Sequence, residues 1–250
     1  MDDLSKKDMI LATDLDGTFL GGDSKSKDAL YSYIEDNRDW LGLVFVTGRD
    51  IDFIEKITSA EVPRPDLIIG DVGTTVVHGH DYSPVTHVEA WIDDKWMGTD
   101  LAEERLQDIK SLERQPVFGG RRLSFYYHDA NEAKTKQAEL IDLGYDVLMS
   151  DNIYFDILPR GVQKGPTLKQ TISHFDWNSD SVLVAGDTLN DRSLFETGLD
   201  GVMVGNAEKA LVDAVSHLPN VYHSKGEGAA GVHDGLLRKI ELKAQSEATS

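Results

Sequence analysis

The 250-residue chain has no cysteine. That excludes disulfides, a thiolate nucleophile and cysteine-ligated zinc. Long hydrophobic runs are missing too: the apolar stretches are as short as Leu43 to Val46, so no membrane span is expected. The opening residues Met1-Asp2-Asp3-Leu4-Ser5-Lys6-Lys7 are charged and carry no apolar core, so no signal peptide is expected and a cytoplasmic location is. Basic residues are scarce. Forty-four Asp and Glu face 25 Lys and Arg, a net charge of −19 that argues against nucleic acid or an anionic membrane as partner. Solubility is the plain consequence of that charge, and a salt-rich cell interior that screens self-repulsion is the sharper one. An anionic ligand would need a local island of positive charge. The hydrophobic fraction of 40% and charged fraction of 28% fit a soluble chain with an ordinary core, and the length allows one or two domains.

Short apolar runs alternate with helical patterns at both ends of the chain. Asp8–Thr13, Leu43–Val46 and Asp66–Ile69 read as buried strands, with helices over Lys27–Asn37 and Asp50–Thr58 between them. Late in the sequence a helix over Thr167–His174 precedes strands Val182–Ala185 and Gly201–Val204 and a final helical segment over Gly231–Leu242. This alternation predicts a parallel sheet built from βαβ units. From about His80 to Arg160 the pattern changes to hairpin-like strands and packed helices, one of them over Glu132–Leu143, with many of the aromatics. The fold expected is an α/β, Rossmann-like core of residues 1–79 and 161–250, interrupted by an α+β insertion of residues 80–160. The polar tail from Lys243 to Ser250 reads as frayed.

Four constellations carry chemistry. Asp14-Leu15-Asp16-Gly17-Thr18 ends the first strand, where open parallel sheets place ligands, and carboxylates two residues apart project to one side of an extended chain. A simple turn explains the same residues; a calcium loop does not, since its sixth and twelfth positions are Phe19 and Lys25. Gly186-Asp187-Thr188-Leu189-Asn190-Asp191 follows another apolar strand and adds hard oxygen ligands of the kind that suit magnesium, although Asn190 or Asp191 serves equally as a helix cap. Thr47-Gly48-Arg49 and Lys164-Gly165 lie at helix starts and suit phosphate, though either pair alone carries little weight. Gly226-Glu227-Gly228-Ala229-Ala230-Gly231 matches a dinucleotide fingerprint but has no later strand to complete the unit, so it is read as a loop and helix start. The eight histidines show no ligand spacing and are read as structural.

In this order the four constellations resemble the motifs of the haloacid dehalogenase (HAD) phosphatase superfamily, with an insertion like its C2-type cap. Asp71-Val72-Gly73-Thr74, Leu123-Ser124-Phe125-Tyr126, Asp156–Gly161, Val202–Ala207 and Ala229–Val232 are similar to segments of sucrose-phosphate phosphatases, so the resemblance covers about residues 8 to 240. One departure stands out: Thr188-Leu189 occupies the place where those phosphatases usually have Ser-Gly.

The resemblance implies hydrolysis of a sugar phosphate, most simply sucrose 6-phosphate or a related disaccharide or compatible-solute phosphate. It implies Asp14 as nucleophile and Asp16 as general acid and base. It implies Mg²⁺ held by Asp14, Asp187 and the main-chain carbonyl of Asp16, with Asp191 steering its waters. Thr47, Gly48, Arg49, Lys164 and Asn190 would hold the phosphoryl group, and Arg121, Arg122, Ser124 and Tyr126 are candidate sugar contacts. Association with a glycosyltransferase that forms the sugar phosphate is a further expectation. A phosphomannomutase-like enzyme, a generalist sugar phosphatase and a sugar-phosphate binding module are the alternatives; retention of both Asp14 and Asp16 speaks against the last.

Overall fold

The computed structural model describes residues 4–59, 62–117, 120–150 and 152–248. The N-terminal part of the chain contains β1 (Met9–Thr13), α1 (Ser24–Asp36), β2 (Leu41–Val46), α2 (Ile51–Thr58), β3 (Leu67–Gly70), β4 (Thr75–His78) and α3 (Thr86–Asp93). The middle adds α4 (Asp100–Leu106), β5 (Leu112–Gln115), β6 (Leu123–Tyr127), α5 (Ala130–Leu143), β7 (Asp146–Ser150) and β8 (Tyr154–Leu158). The last comprises α6 (Lys164–Phe175), β9 (Val182–Gly186), α7 (Arg192–Phe195), β10 (Asp200–Met203), α8 (Lys209–Val215), β11 (Val221–His223) and α9 (Ala229–Glu247).

Seven strands form one sheet in the order β11-β10-β9-β1-β2-β3-β4, parallel throughout except for the β3–β4 pair at the edge. Every residue of β1, β2 and β9 is buried because helices cover both faces. The pleat divides β1 between two cores: Ile10 and Ala12 face one, Met9 and Leu11 the other. This is the Rossmann-like α/β core expected from the alternating pattern. Its centre, β1 between β2 and β9, is a topological switch point, so a crevice opens at the C-terminal ends of these strands.

The second sheet, β5-β6-β8-β7, is antiparallel. One face packs Leu123, Phe125, Phe155, Ile157 and Val147 against Ala102 of α4 and Ala133 and Leu140 of α5. The helix α3, which the sequence reading places in the insertion, sends Val88 and Ile92 into a core of the large sheet. The aromatics divide in the same way. Tyr82 and Trp91 pack on the large-sheet cores, while Trp96, Tyr127 and Tyr145 pack in the small-sheet core. The expected frayed tail is instead helical as far as Glu247; Thr249 and Ser250 lie outside the described residues. The glycine-rich decoy is a loop leading into α9, with the Ala229 N–H donating to Gly21 O at 3.0 Å.

Candidate active site

Asp14 leaves the end of β1 with its N–H on Ala185 O at 2.9 Å, which ties it to the end of β9. The chain then turns through Gly17 at φ +74°, and a Cβ there would sit 2.1 Å from Asp187 Oδ2. Only glycine lets the two acidic loops approach so closely. Thr18 closes the contact by donating its hydroxyl to Asp187 Oδ1 at 2.8 Å. Asp191 Oδ2 accepts the N–H groups of Asp187 (2.9 Å) and Thr188 (3.1 Å), forming a capping box with Thr188. The Thr188-Leu189 departure thus keeps a hydroxyl at the capping position. Ligand oxygens of Asp14, Asp187 and Asp191 all lie within 4.8 Å of one another, and all three residues are buried.

Three carboxylates without histidine or cysteine fit a hard divalent cation. Burial pushes the Asp14 carboxyl well above the ordinary aspartate value; Lys164 opposes that rise, and the Asp191 and Asp187 carboxylates add to it. A cation among them would relieve this repulsion. The Asp16 carboxylate lies outside the cluster. It takes two hydrogen bonds from Arg49, at 2.7 and 2.8 Å.

Lys164 begins α6 and is fully buried. Its ammonium donates to Asp14 Oδ1 (2.6 Å), Asn190 Oδ1 (2.7 Å) and Asp191 Oδ1 (2.7 Å). Burial works against its charge, but the Asp14 and Asp191 carboxylates outweigh burial and hold it above the ordinary lysine value. At the end of β2, Thr47 is fully buried and its hydroxyl accepts the Arg49 N–H at 3.1 Å.

A cavity of about 340 Å³ opens beside these groups, lined on the large-sheet side by residues including Asp14, Asp16, Gly48, Arg49 and Asn190. Its other wall is the polar face of the small sheet. Ser124 pairs in register with Asp156, and Tyr126 with Tyr154, so side chains two apart on β6 and β8 face the cavity together. Arg122 lines the cavity and donates to Asp71 Oδ1 (3.0 Å) and Gly48 O (3.2 Å). Arg121 is not part of the lining; it bonds the Glu89 carboxylate of α3. Of the insertion's aromatics, Tyr126 and Tyr154 line the cavity and the tryptophans do not.

The site therefore joins Asp14, Lys164, Asn190, Asp187 and Asp191 directly, with Asp16 paired to Arg49 beside them. Sequence reasoning places Asp71, Asp156 and Asn206 in segments similar to sucrose-phosphate phosphatases but gives none of them a role at the site. The Asn206 side chain clamps Gly17 O (3.0 Å) and the Gly228 N–H (2.7 Å), locking the turn after Asp14 to the start of α9. The expected island of positive charge takes an unexpected form. Arg49, Arg122 and Lys164 are all present, but each is already paired with aspartate.

Among the described residues no helix is long and apolar enough to cross a membrane. The family model for sucrose-6F-phosphate phosphohydrolase matches residues 7–238. The chain is 37% identical over 246 residues to a glucosylglycerol-phosphate synthase of Pseudomonas anguilliseptica, covering 96% of this chain but 32% of that protein, so it spans about a third of that relative's length. It is 31% identical to a mannosylfructose-phosphate phosphatase of Agrobacterium fabrum, covering 91% of this chain and 95% of that one. The fold matches the sucrose-phosphatase of Synechocystis sp. PCC6803, solved with sucrose and phosphate, at a TM-score of 0.86 and 22% identity over 94% of this chain and 98% of that one. With its acidic strand tips, buried lysine and second sheet, the chain belongs to the sucrose-6F-phosphate phosphohydrolase family of HAD-superfamily phosphatases.

Proposed function

We propose that the protein hydrolyses the phosphate monoester of a two-unit sugar or glycosyl polyol. The candidates are sucrose 6-phosphate, mannosylfructose phosphate and glucosylglycerol phosphate, with magnesium as the metal. The observation that carries this reading is the convergence of Asp14, Asp187, Asp191 and Lys164 at one sheet edge, facing a cavity whose far wall is polar. The names of the two relatives, a glucosylglycerol-phosphate synthase and a mannosylfructose-phosphate phosphatase, support a glycoside phosphate over a simple hexose phosphate. A cavity of about 340 Å³ is at the small end of ligand sites, which run to roughly 1,000 Å³.

An Asp14 carboxylate oxygen attacks phosphorus, the bond to the sugar oxygen breaks, and an aspartyl phosphate forms. Asp16 gives a proton to the departing alkoxide, then takes one from the water that attacks the phosphoryl group. Phosphate leaves and Asp14 is regenerated. Asp16 must part from Arg49 to do this, and an arriving phosphate offers Arg49 competing anionic oxygens. Lys164, Thr47 and Asn190 steady the transferring phosphoryl oxygens. Bound magnesium, held by Asp14, Asp187 and the Asp16 carbonyl with Asp191 alongside, would supply positive charge between nucleophile and substrate. The small sheet acts as a cap that keeps bulk water from the acyl phosphate.

A cytoplasmic location and association with the glycosyltransferase that makes the substrate belong to the same proposal. The synthase relative supports the latter, since a segment like this chain lies within a longer protein named for forming a glycosyl phosphate. The test is phosphate release with magnesium from the three candidates and from glucose 6-phosphate. The expected kcat/KM on the best candidate exceeds that on glucose 6-phosphate by about a hundredfold, or roughly 2.7 kcal/mol. Equal rates on all four refute the substrate reading, and interconversion of sugar 1- and 6-phosphates without phosphate release would establish a mutase instead.

A further inference from the structure

We propose that Asp156 is the specificity-determining residue through which the small sheet reads the hydroxyls of the substrate's sugar part, and that Arg122 positions it. The proposal rests on the phosphatase reading above. Asp156 lies on β8, is 8% exposed and lines the cavity. Its two oxygens are treated unequally. The Ser124 hydroxyl donates to Oδ1, and Arg122 Nη1 lies 3.7 Å from that same atom, whereas no described residue hydrogen-bonds Oδ2. Asp71, the other carboxylate on Arg122, is satisfied at both oxygens: Oδ1 takes Arg122 at 3.0 Å and Oδ2 takes the Thr75 hydroxyl at 3.0 Å. A buried carboxylate with one oxygen free at a cavity wall wants a donor.

The chemistry of that donor follows from charge. A carboxylate accepts and cannot donate, so it repels phosphoryl oxygens and selects hydroxyls. Tyr126 and Tyr154, opposite each other with ring centroids 5.7 Å apart, offer an apolar face beside it on which the C–H side of a sugar ring can lie. Arg122 links this wall to the phosphate loop. It bonds Gly48 O and Asp71, and Asp71 begins a turn in which Asp71, Val72 and Gly73 have φ of +52°, +60° and +102°. A β-branched residue at positive φ is held there by its surroundings. The same turn carries N–H groups to Thr47 O and Arg49 O, both at 3.0 Å. One chain of contacts thus runs from the hydroxyl-reading carboxylate to the residues that hold phosphate.

The experiment compares kcat/KM on the best sugar phosphate with kcat/KM on p-nitrophenyl phosphate, which has no hydroxyls, for the wild type, Asp156→Asn, Arg122→Lys and the double variant. Asp156→Asn should lower the ratio of the two by about 10- to 100-fold, the span expected for a hydrogen bond to a charged acceptor. Arg122→Lys keeps the charge but not the fork that reaches three partners, so the ratio should fall there too. The double variant should be no worse than the poorer single one, because both changes act on one acceptor. A ratio within twofold of wild type, equal losses on both substrates, or additive losses in the double variant each overturn the proposal. Should Asp156→Asn fail to fold, Ser124→Ala releases the same carboxylate and must lower the ratio at least about threefold. Wild-type enzyme that cleaves p-nitrophenyl phosphate but no sugar phosphate refutes the substrate reading itself; turnover of sugar phosphate with an unchanged ratio in the variants refutes this inference alone.

Discussion

Replacing Lys164 by methionine isolates what one buried cation does. The side chain is fully buried and bonds two carboxylates, at 2.6 and 2.7 Å, and the Asn190 amide oxygen at 2.7 Å. Methionine fills much of the same volume, so the main loss is charge rather than packing. Asp14, Asp187 and Asp191 then face one another with no compensating ammonium. Breaking a buried pair by removing one partner costs about 3–5 kcal/mol. For a chain of this size each kcal/mol moves Tm by about 2–4 °C, so the variant should melt roughly 6–20 °C lower in EDTA. Magnesium should narrow the gap between variant and wild type, because it supplies positive charge to the same oxygens. Circular-dichroism melts of both proteins, with EDTA and with magnesium, measure this directly. A drop of under about 2 °C in EDTA, or a gap that magnesium leaves unchanged, would refute the electrostatic account of the cluster.

Asp14→Asn should keep the fold and abolish turnover, since an amide cannot form the acyl phosphate; phosphate release above a few per cent of wild type would remove Asp14 from the nucleophile's role. Activity should vanish in EDTA and return with magnesium, while calcium, with more ligands and longer bonds, should inhibit; full activity after exhaustive chelation would count against a metal enzyme. Gly17→Ala should cut kcat at least about a hundredfold and also lower Tm, whereas Gly98→Ala, at φ +83° with nothing within 4 Å of its Cβ, should show only the backbone cost of about 1–2 kcal/mol; similar behaviour of the two would deny the close approach of the acidic loops. Burial holds the Asp156 carboxyl above its ordinary value of 3.8, against Arg122 and Ser124, so the stability it allows is complete below 3.8 and is lost as pH rises through the folded value. The Tm of Asp156→Asn relative to wild type should therefore climb from pH 4 to pH 7, and a flat difference would contradict that direction.

The parallel core was legible because burial on both faces leaves a mark that needs no partner to read. Met9–Thr13 and Val182–Gly186 are apolar runs bounded by polar turns, and both are strands at the centre of the sheet. The end of the first half was not legible in the same way. Helix α3 carries Val88 and Ile92 at a spacing that suits either sheet, and a periodic apolar stripe does not say which surface it covers. The C-terminal residues looked like a polar tail because Lys243–Glu247 carry little apolar character, yet they continue a helix already docked through Val232 and Leu236. Local composition is a weak guide when a helix needs only part of its length to anchor it.

At the site, legibility follows chain distance. Asp14, Asp16, Asp187 and Asp191 stand out because each pair lies within five residues on a loop after an apolar run. Asp71, Asp156 and Asn206 lie in family-like segments, but each is a single polar side chain that no spacing marks as functional, and their roles come from antiparallel register and from turns that meet across the sheets. The alternation Ser124, Tyr126 and Tyr154, Asp156 was a usable signal, since it marks one polar face, but the pairing of Ser124 with Asp156 is a tertiary fact. Charge shows why the missed residues matter. Arg49, Arg122 and Lys164 are shared among Asp16, Asp71, Asp156, Asp14 and Asp191, and Asp187 stands beside them. With those carboxylates ionised, six negative charges face three positive ones. A phosphate ester entering such a cavity meets repulsion unless a cation comes with it or the arginines change partners. Both routes make binding conditional: the first on metal, the second on an anion able to draw Arg49 from Asp16. In the reaction proposed above, the pairing of Arg49 with Asp16 thus couples release of the proposed acid–base residue to arrival of the phosphate.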